Sequence, residues 1–238
     1  MFSVEDTHWW YVGMAAIFKE IFTHWVPNNN LRILDEGCGT GGSMHNWLSD
    51  FGSVSGLDIS MVALECCHLR HLNKLILGSI CQMPIQSASY DMVTSFDVLY
   101  EKTVPEVLTA IKEINRVLLP GGFLVLRVPA YNWLHGRHDD AVNTARRFTR
   151  KEISMLLRSG GFLVRHSSYV NSILFPVILV KRMLEKYFTT GKTVSDFYVP
   201  GKLVNRILTF ILKAESPMVS RFGLPFGLSI AVVAQKSL

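Results

Sequence analysis

The feature that most constrains the fold is a glycine-spaced turn near the start of the chain. An apolar stretch at residues 33–34 runs into an acidic turn in which glycine recurs at every second position, Gly37, Gly39 and Gly41. Glycine adopts backbone angles that a Cβ forbids, and it lets the main chain approach a ligand closely. A strand that leads through such a turn into a helix is typical of nucleotide-type cofactor sites in open α/β sheets. Residues 37–41, the cofactor cradle, are therefore predicted to bind a cofactor at the end of the first strand.

The charges around the cofactor cradle discriminate between cofactors. A second predicted strand, residues 53–58, ends in Asp58 about twenty residues after the turn, where a ribose-binding carboxylate is expected. Asp35 and Glu36 directly precede the cradle, and they would repel the pyrophosphate of a dinucleotide. S-adenosylmethionine has no phosphate and carries a sulfonium cation and an amino group. The acidic residues therefore favour S-adenosylmethionine, with S-adenosylhomocysteine as its product.

Further motifs follow the cradle in an order that resembles one enzyme family. Residues 77–84 are similar to its adenine-side loop, residues 89–93 and 96–99 to its fourth strand, and residues 116–122 to the turn before its fifth strand. Over this stretch the chain resembles the class I S-adenosylmethionine-dependent methyltransferases. The resemblance implies a Rossmann-like fold and methyl transfer.

Two other stretches are similar to one branch of that family, the methyltransferases of type 11 or type 23. They are residues 8–11, His-Trp-Trp-Tyr, and the segment that holds His138-Asp139 and residues 146–148. The chain departs from the usual pattern at Ser79, at Tyr100-Glu101 and at Thr144. These departures leave open whether a catalytic histidine of the family has a counterpart here.

The glycine motif and the resemblance together imply a set of cofactor-binding residues. The cradle is expected to hold the methionine part, Asp35 to draw the amino group through water, and Asp58 to bind the ribose. Ser79 and Ile80 are expected to flank the adenine. The full predicted set is Asp35, Gly37, Cys38, Gly39, Gly41, Asp58, Ile59, Ser79, Ile80 and Phe96.

Candidate catalytic and acceptor-binding residues lie mainly at the carboxyl edge of the predicted sheet, where open α/β sheets bind ligands. His138 and Glu101 follow the fifth and fourth strands and are candidate bases. Tyr11 is a third catalytic candidate, because aromatic faces attract cations. The predicted acceptor-binding residues are Tyr100, Tyr131, Arg146 and Arg147. The alternatives are that His138 braces a loop, that Tyr11 is a core residue and that the arginines form a surface pair.

The alternation of apolar and helical stretches predicts an α/β fold, a Rossmann-like, doubly wound sheet of seven mostly parallel strands. Thr149 and Glu152 predict a capping box at the start of a helix. The strands are expected near residues 31–35, 53–58, 73–77, 90–96, 123–128, 162–168 and 228–234. The helices are expected near residues 8–25, 42–50, 61–71, 104–118 and 149–159.

Four segments are predicted along the chain. They are an N-terminal capping helix segment at residues 1–30, the cofactor-binding domain at 31–170, a helical cover at 171–227 and the final strand at 228–238. The cover contains two basic amphipathic stretches, near 172–188 and 202–213. Both are shorter than the roughly eighteen apolar residues that a bilayer-spanning helix needs.

The charge of the chain is divided unevenly. Residues 1–118 hold 7 Lys and Arg against 13 Asp and Glu, whereas residues 119–238 hold 17 against 6. The basic half is expected to line an acceptor pocket, to contact anionic lipid or to form a homodimer surface. No nucleic-acid module is recognised, so no nucleic-acid partner is expected. The spacing of the four cysteines indicates neither a metal site nor a disulfide framework. No secretory signal is recognised, so a cytoplasmic protein is expected, with peripheral membrane contact as an option.

The sequence therefore predicts a methyltransferase that acts on a small, hydrophobic or lipid-like acceptor, with an anionic group on the acceptor as an option. Two other functions stay open. The replaced motif positions would also suit a regulatory protein that binds the cofactor without transferring its methyl group. An enzyme that uses the sulfonium charge for a rearrangement or cyclisation is the other alternative.

Overall fold

A computed structural model of the chain describes residues 2, 4–26, 30–136, 139, 143–180 and 200–237. Seven strands form one sheet in the order β3-β2-β1-β4-β5-β7-β6. Strands β1 to β5 are parallel, and β7 runs antiparallel to both β5 and β6. The strands are β1 Leu31–Glu36, β2 Gly52–Asp58, β3 Leu75–Leu77, β4 Tyr90–Phe96, β5 Leu118–Pro129, β6 Phe162–Val170 and β7 Ser229–Lys236. The predicted doubly wound sheet is confirmed.

Six α-helices whose two ends both lie within the described residues cover the two faces of this sheet. They are α1 Trp9–Trp25, α2 Gly42–Asn46, α3 Met61–Leu69, α4 Val107–Val117, α5 Arg150–Ser159 and α6 Lys202–Arg221. The predicted capping box of α5 is confirmed, because Thr149 and Glu152 exchange side-chain and backbone hydrogen bonds. Residues 175–180 are also helical. Residues 181–188 of the first predicted amphipathic stretch lie outside the described residues.

The core lies in two main layers, one on each face of the sheet. On one face the buried side chains of α4 and α5, among them Ile111, Ile114 and Leu157, pack against β4, β5 and β7. On the other face α1 and α6 pack against β1 and β5 through Phe18 and Leu212 among others. No helix of the described residues is both long enough and apolar enough to span a membrane.

Three helix boundaries differ from the sequence prediction. The helix expected over residues 42–50 ends at Asn46, because Trp47 leaves the helical conformation with φ −162° and ψ −29° and a short 3₁₀ turn follows. Helix α4 begins at Val107 rather than near residue 104, since the residue before Pro105 is biased away from the helical conformation. Helix α6 continues past residue 213 to Arg221 and includes Pro217.

Helices α1 and α6 are clamped together at both ends. The backbone N–H of Trp9 donates to Asn205 Oδ1 at 2.8 Å, and Trp25 Nε1 donates to the carbonyl oxygen of Ser220 at 2.8 Å. Between these bonds, Gly13 allows a close approach, because a Cβ at this position would lie 2.5 Å from Leu212 Cδ1 and 2.6 Å from Leu212 Cβ. The two helices cover one face of the sheet, and α1 also borders the site described below.

Replacing Gly13 by Ala is expected to destabilise the protein, although alanine favours an exposed helix by about 1 kcal/mol over glycine. The clash with Leu212 should lower the free energy of unfolding by about 1–3 kcal/mol, measured by urea denaturation. A double variant that adds Leu212→Ala tests the cause. Its loss should be smaller than the sum of the two single losses, and strict additivity would contradict a direct clash.

Candidate active site

The cofactor cradle is an irregular turn between β1 and α2. Gly37, Gly39 and Gly41 all have left-handed backbone angles, with φ of +66°, +54° and +78°. A Cβ at Gly37 would lie 2.3 Å from Val98 Cγ2, whereas a Cβ at Gly39 would meet no atom within 4 Å. Gly37 is therefore required by packing, while Gly39 presents bare backbone to open space. Gly41 is the N-cap residue of α2.

Asp58 holds the cradle to the end of β2. Its Oδ2 accepts a hydrogen bond from the Gly39 backbone N–H at 2.8 Å, and its Oδ1 accepts one from the Ser60 N–H at 2.8 Å. Each carboxylate oxygen keeps a further lone pair that can accept a ligand hydroxyl. The Cys67 thiol also donates to the Gly39 carbonyl oxygen at 3.2 Å. The turn is thus fixed from two neighbouring elements before any ligand binds.

Two carboxyl groups are buried directly before the cradle. Asp35 accepts a hydrogen bond from Thr94 Oγ1 at 2.7 Å, and burial raises its pKa to about 7. Glu36 is fully buried, neither of its carboxylate oxygens has a hydrogen-bond partner among the described residues, and burial raises its pKa to about 8. The negative charges of Asp35 and Asp58 add to the shift of Glu36. A cation near the cradle would favour ionisation of Asp35, so the arrangement suits a cationic ligand.

A cavity of about 1240 Å³ extends from the cradle along the carboxyl ends of β1, β4 and β5 to the inner side of α1. Most of the predicted site residues border this cavity. Of the two arginines that are predicted to bind the acceptor, Arg147 lines it. The predicted residues that line the cavity are Tyr11, Asp35, Gly37, Cys38, Gly39, Asp58, Ile59, Ser79, Ile80, Phe96, Tyr100, Glu101 and Arg147. Gly41, Tyr131 and Arg146 are not among its lining residues, and His138 lies outside the described residues.

Tyr11, Tyr100 and Glu101 are ionisable side chains that line this cavity. Burial raises the pKa of Tyr11 to about 12 and raises the pKa of Tyr100 further, so both phenols stay protonated at neutral pH. Burial also raises the pKa of Glu101, whose Oε2 accepts a hydrogen bond from Thr103 Oγ1 at 3.0 Å. Raised pKa values bring a carboxyl group closer to the range of a neutral-pH base. The catalytic roles of Tyr11 and Glu101 stay predictions.

The arginine pair makes structural contacts. Arg147 is buried, and its Nε and Nη2 donate to Asp139 Oδ1 at 2.9 and 2.6 Å while Nη1 donates to the Ala130 carbonyl oxygen. Arg146 Nη2 donates to the carbonyl oxygens of Val104 and Pro105. Tyr131 stacks on Tyr169 with 5.1 Å between ring centroids. An acceptor-binding role for these three predicted residues stays a prediction.

Sequence reasoning missed two features of the site. Glu5 accepts hydrogen bonds from Thr40 Oγ1 at 2.6 Å and from Arg70 Nη2 at 3.2 Å, which places the segment before α1 against the cradle. No motif marks Glu5, so the sequence carries no signal for it. Arg127 lines the cavity and is paired with Asp97. Its signal was available, because a single charge interrupts the apolar stretch of β5.

Comparison with known proteins assigns the fold to a family. Residues 34–126 match the family described as a methyltransferase domain. The demethylmenaquinone methyltransferase of Staphylococcus aureus strain MRSA252 is 35% identical over 114 residues, which cover 45% of this chain and 46% of that enzyme. Residues 34–126 are therefore similar to the methyltransferase domain family, and the resemblance predicted from the sequence is confirmed over this stretch. The match spans about half the length of the curated relative.

Solved structures support the fold of this chain over nearly its whole length. A chain from a Haloferax volcanii complex with the Trm112 methyltransferase activator has a TM-score of 0.63 at 16% identity, covering 99% of this chain and 92% of that one. The [4+2]-cyclase SpnF has a TM-score of 0.60 at 18% identity, covering 94% of this chain and 81% of that one. At such identities the likeness shows the fold alone.

Replacing Glu36 by Gln should stabilise the protein at alkaline pH. The folded state keeps the Glu36 proton up to about pH 8, whereas a glutamate in the unfolded chain releases it near pH 4.5. The stabilising contribution of this group is therefore present at acid pH and is lost as the pH rises through the folded pKa. At pH 9 the variant should exceed the wild type in free energy of unfolding by about 2 kcal/mol or more.

Urea denaturation between pH 5 and 9 measures this effect, and the exposed Glu65→Gln on α3 is the matched control. The control should follow the wild type at every pH. If Glu36→Gln also follows it, Glu36 is not held as a buried, protonated carboxyl group.

Proposed function

We propose that this protein transfers a methyl group from S-adenosylmethionine to a small, hydrophobic acceptor. The observation that carries the proposal is the acidic cofactor cradle, whose bare backbone and Asp58 open into a cavity large enough for two ligands. The Asp58 carboxylate and the buried carboxyl group of Asp35, whose ionisation a nearby cation favours, disfavour a phosphate at this position and favour a cation. The match of residues 34–126 to a methyltransferase domain supports the same cofactor.

The residues of the cradle fit S-adenosylmethionine. Residues 37–41 would hold its methionine part, Asp35 its ammonium group and Asp58 its ribose hydroxyls, with Ser79 and Ile80 beside the adenine. When bound, the cofactor supplies a methyl group that is already activated by the sulfonium. The protein then has to align the acceptor and exclude water. Trp10 and Phe18 line the cavity and can exclude water, and Tyr11, Glu101 and His138 are the proposed proton-handling residues.

A hydrophobic acceptor is supported by the cavity wall and by the relatives. Apolar side chains from α1 and the strand ends, including Met14, Phe18 and Phe96, face the part of the cavity beyond the cradle. The name of the Staphylococcus aureus relative specifies demethylmenaquinone, a lipid-like quinone, as its acceptor. We therefore propose that the acceptor is lipid-like and planar at its reacting end.

Calorimetric titration with S-adenosylmethionine and, separately, with NAD tests the cofactor. Binding of S-adenosylmethionine alone supports the proposal, and binding of NAD alone would overturn it. Incubation with candidate acceptors then distinguishes the alternatives by product. Formation of S-adenosylhomocysteine indicates methyl transfer, whereas converted acceptor with intact cofactor indicates a cyclisation or rearrangement. Cofactor binding with no product from any acceptor would favour a regulatory role.

Asp58→Asn should weaken the binding of S-adenosylmethionine by about 10- to 100-fold. The loss corresponds to about 1.5–3 kcal/mol. Removing the carboxylate charge weakens both the hydrogen bonds that Asp58 would accept from the ribose and the one that it accepts from the Gly39 N–H. Calorimetry measures the affinity. Asp91→Asn is the matched control, because Asp91 binds Arg32 at the surface and does not line the cavity. Equal affinity of Asp58→Asn and the wild type would remove Asp58 from the site.

We also propose that α6 rests on an anionic membrane surface. Leu203 and Phe210 are 73% and 71% exposed, and Ile207 lies between them on the same side of the helix. The exposed Lys202, Arg206 and Lys213 flank this row, while Glu215, the acidic residue of α6, is fully buried. An exposed apolar row with basic neighbours is typical of interfacial helices. Lys213 also lines the cavity, so contact between α6 and the membrane would place the opening of the cavity close to the lipid.

Co-sedimentation with phosphatidylglycerol vesicles tests this contact. The wild type should sediment at low salt, less as NaCl rises, and weakly with phosphatidylcholine. The variant Leu203→Glu with Phe210→Glu should stay in the supernatant, whereas Leu69→Glu on α3, which is 70% exposed in the wild type, should sediment normally. Absence of sedimentation at low salt, with dimers detected by analytical ultracentrifugation, would instead assign this helix face to a homodimer.

A further inference from the structure

A buried arginine lines the part of the cavity beyond the cradle, which we call the acceptor half. Arg127 lies in β5 between apolar neighbours, is 7% exposed and lines the cavity. It lies two residues before Pro129, the last residue of β5, so it is at the carboxyl edge where the cradle also lies. Burying a charge in this position is unfavourable unless a partner compensates for the lost hydration.

The guanidinium of Arg127 is fixed in place by one carboxylate and three aromatic rings. Both Nε, at 3.0 Å, and Nη2 donate to Asp97 Oδ2. The guanidinium carbon lies 5.3 Å from the ring centroid of Trp10, 5.8 Å from that of Phe18 and 5.9 Å from that of Phe96. Cation–π attraction and the ion pair therefore hold one orientation of this planar group.

The backbone around Asp97 supports the same geometry. Asp97 has a left-handed φ of +63°, a conformation that is uncommon for residues with a Cβ. Its N–H donates to the Arg127 carbonyl oxygen at 3.0 Å, so backbone and side chain both tie it to β5. Strain of this kind persists where the surrounding structure enforces it, and it is frequent at functional sites.

One edge of the Arg127 guanidinium is left open by the part of the chain that the structure describes. Arg127 Nη1 has no hydrogen-bond partner among the described residues. The phenolic hydroxyls of Tyr11 and Tyr100 have none either, and both tyrosines line the same cavity within electrostatic range of Arg127. Arg147 differs, because all three of its nitrogen atoms donate to Asp139 or Ala130.

We propose that Arg127 Nη1, with Tyr11 and Tyr100, binds an acidic hydroxyl oxygen of a planar acceptor, such as a phenol or an enol. This inference rests on the proposed function, since it assigns the acceptor of the same site. The aromatic rings around the guanidinium suit a planar apolar ligand. Because Asp97 already neutralises most of the arginine charge, Arg127 Nη1 suits a neutral or partly charged hydroxyl oxygen better than a full anion. A phosphate with two charges would be repelled by Asp97, Glu101 and Asp139, which also border the cavity.

A pair of small probes tests the subsite directly. 1-Naphthol carries an acidic hydroxyl group, and 1-methoxynaphthalene has the same ring without the acidic proton. Binding is measured by quenching of tryptophan fluorescence, with and without saturating S-adenosylhomocysteine. The wild type should bind 1-naphthol at least tenfold more tightly than 1-methoxynaphthalene.

The double variant Arg127→Met with Asp97→Asn removes both charges, so it leaves no buried ion unpaired. It should lose the preference for 1-naphthol and retain its affinity for S-adenosylhomocysteine within about threefold. Arg32→Met with Asp91→Asn removes a matched surface pair and should keep the wild-type preference. Arg127→Lys, which keeps the charge without the planar edge, should fall between the wild type and the double variant.

Two results would overturn the assignment: equal binding of the two probes by the wild type, or an unchanged preference in the double variant. If the double variant does not fold, Arg127→Lys decides in its place, and a wild-type preference in that variant contradicts a planar donor site. A failure of S-adenosylhomocysteine to bind the wild type contradicts the proposed function instead. The probe comparison without cofactor still decides the role of Arg127 in that case.

Discussion

The parallel pairing of β1 with β2 and β4 is the constraint on which the site depends. Leu34 pairs with Ser55 and Val93, so the three strands end at one edge of the sheet within one or two residues of each other. The cradle, Asp58 and Asp97 all follow directly from these strand ends. A shift of the register by one residue would turn Asp35 away from Thr94 and toward the opposite face. The positions of the site residues are thus set by the backbone hydrogen bonds between these strands.

Much of this arrangement could be predicted from local sequence patterns. The cradle is a short motif whose glycines act through backbone angles at their own positions, and Asp58 is found by its spacing from that motif. The break of α2 at Trp47 was missed, because it depends on how the Trp47 ring packs on Phe22, at 5.1 Å between centroids, and not on a local breaker residue. Tertiary contacts override helix propensity at such positions.

The acceptor half of the cavity was harder to predict for the same reason. Trp10, Phe96, Asp97 and Arg127 are brought together by α1, β4 and β5, and no spacing rule connects them. The sequence does mark Arg127 as a charge within an apolar strand, but its partner can be identified only once β4 is placed beside β5. Arg147 shows the opposite case, since its place in a recognisable arginine pair suggested a ligand contact and the structure gives it Asp139.

The close packing of α1 on α6 has a consequence for how the chain is made. Trp9 and Asn205, which are 196 positions apart, share a hydrogen bond, so one wall of α1 has no partner until α6 has been synthesised. The Gly13 side of α1 is then exposed to other chains for most of translation, and pairing over such a distance is slow. Chaperone demand and aggregation during expression should therefore be governed by the arrival of α6 rather than by strands β1 to β5, which pair over much shorter distances along the chain.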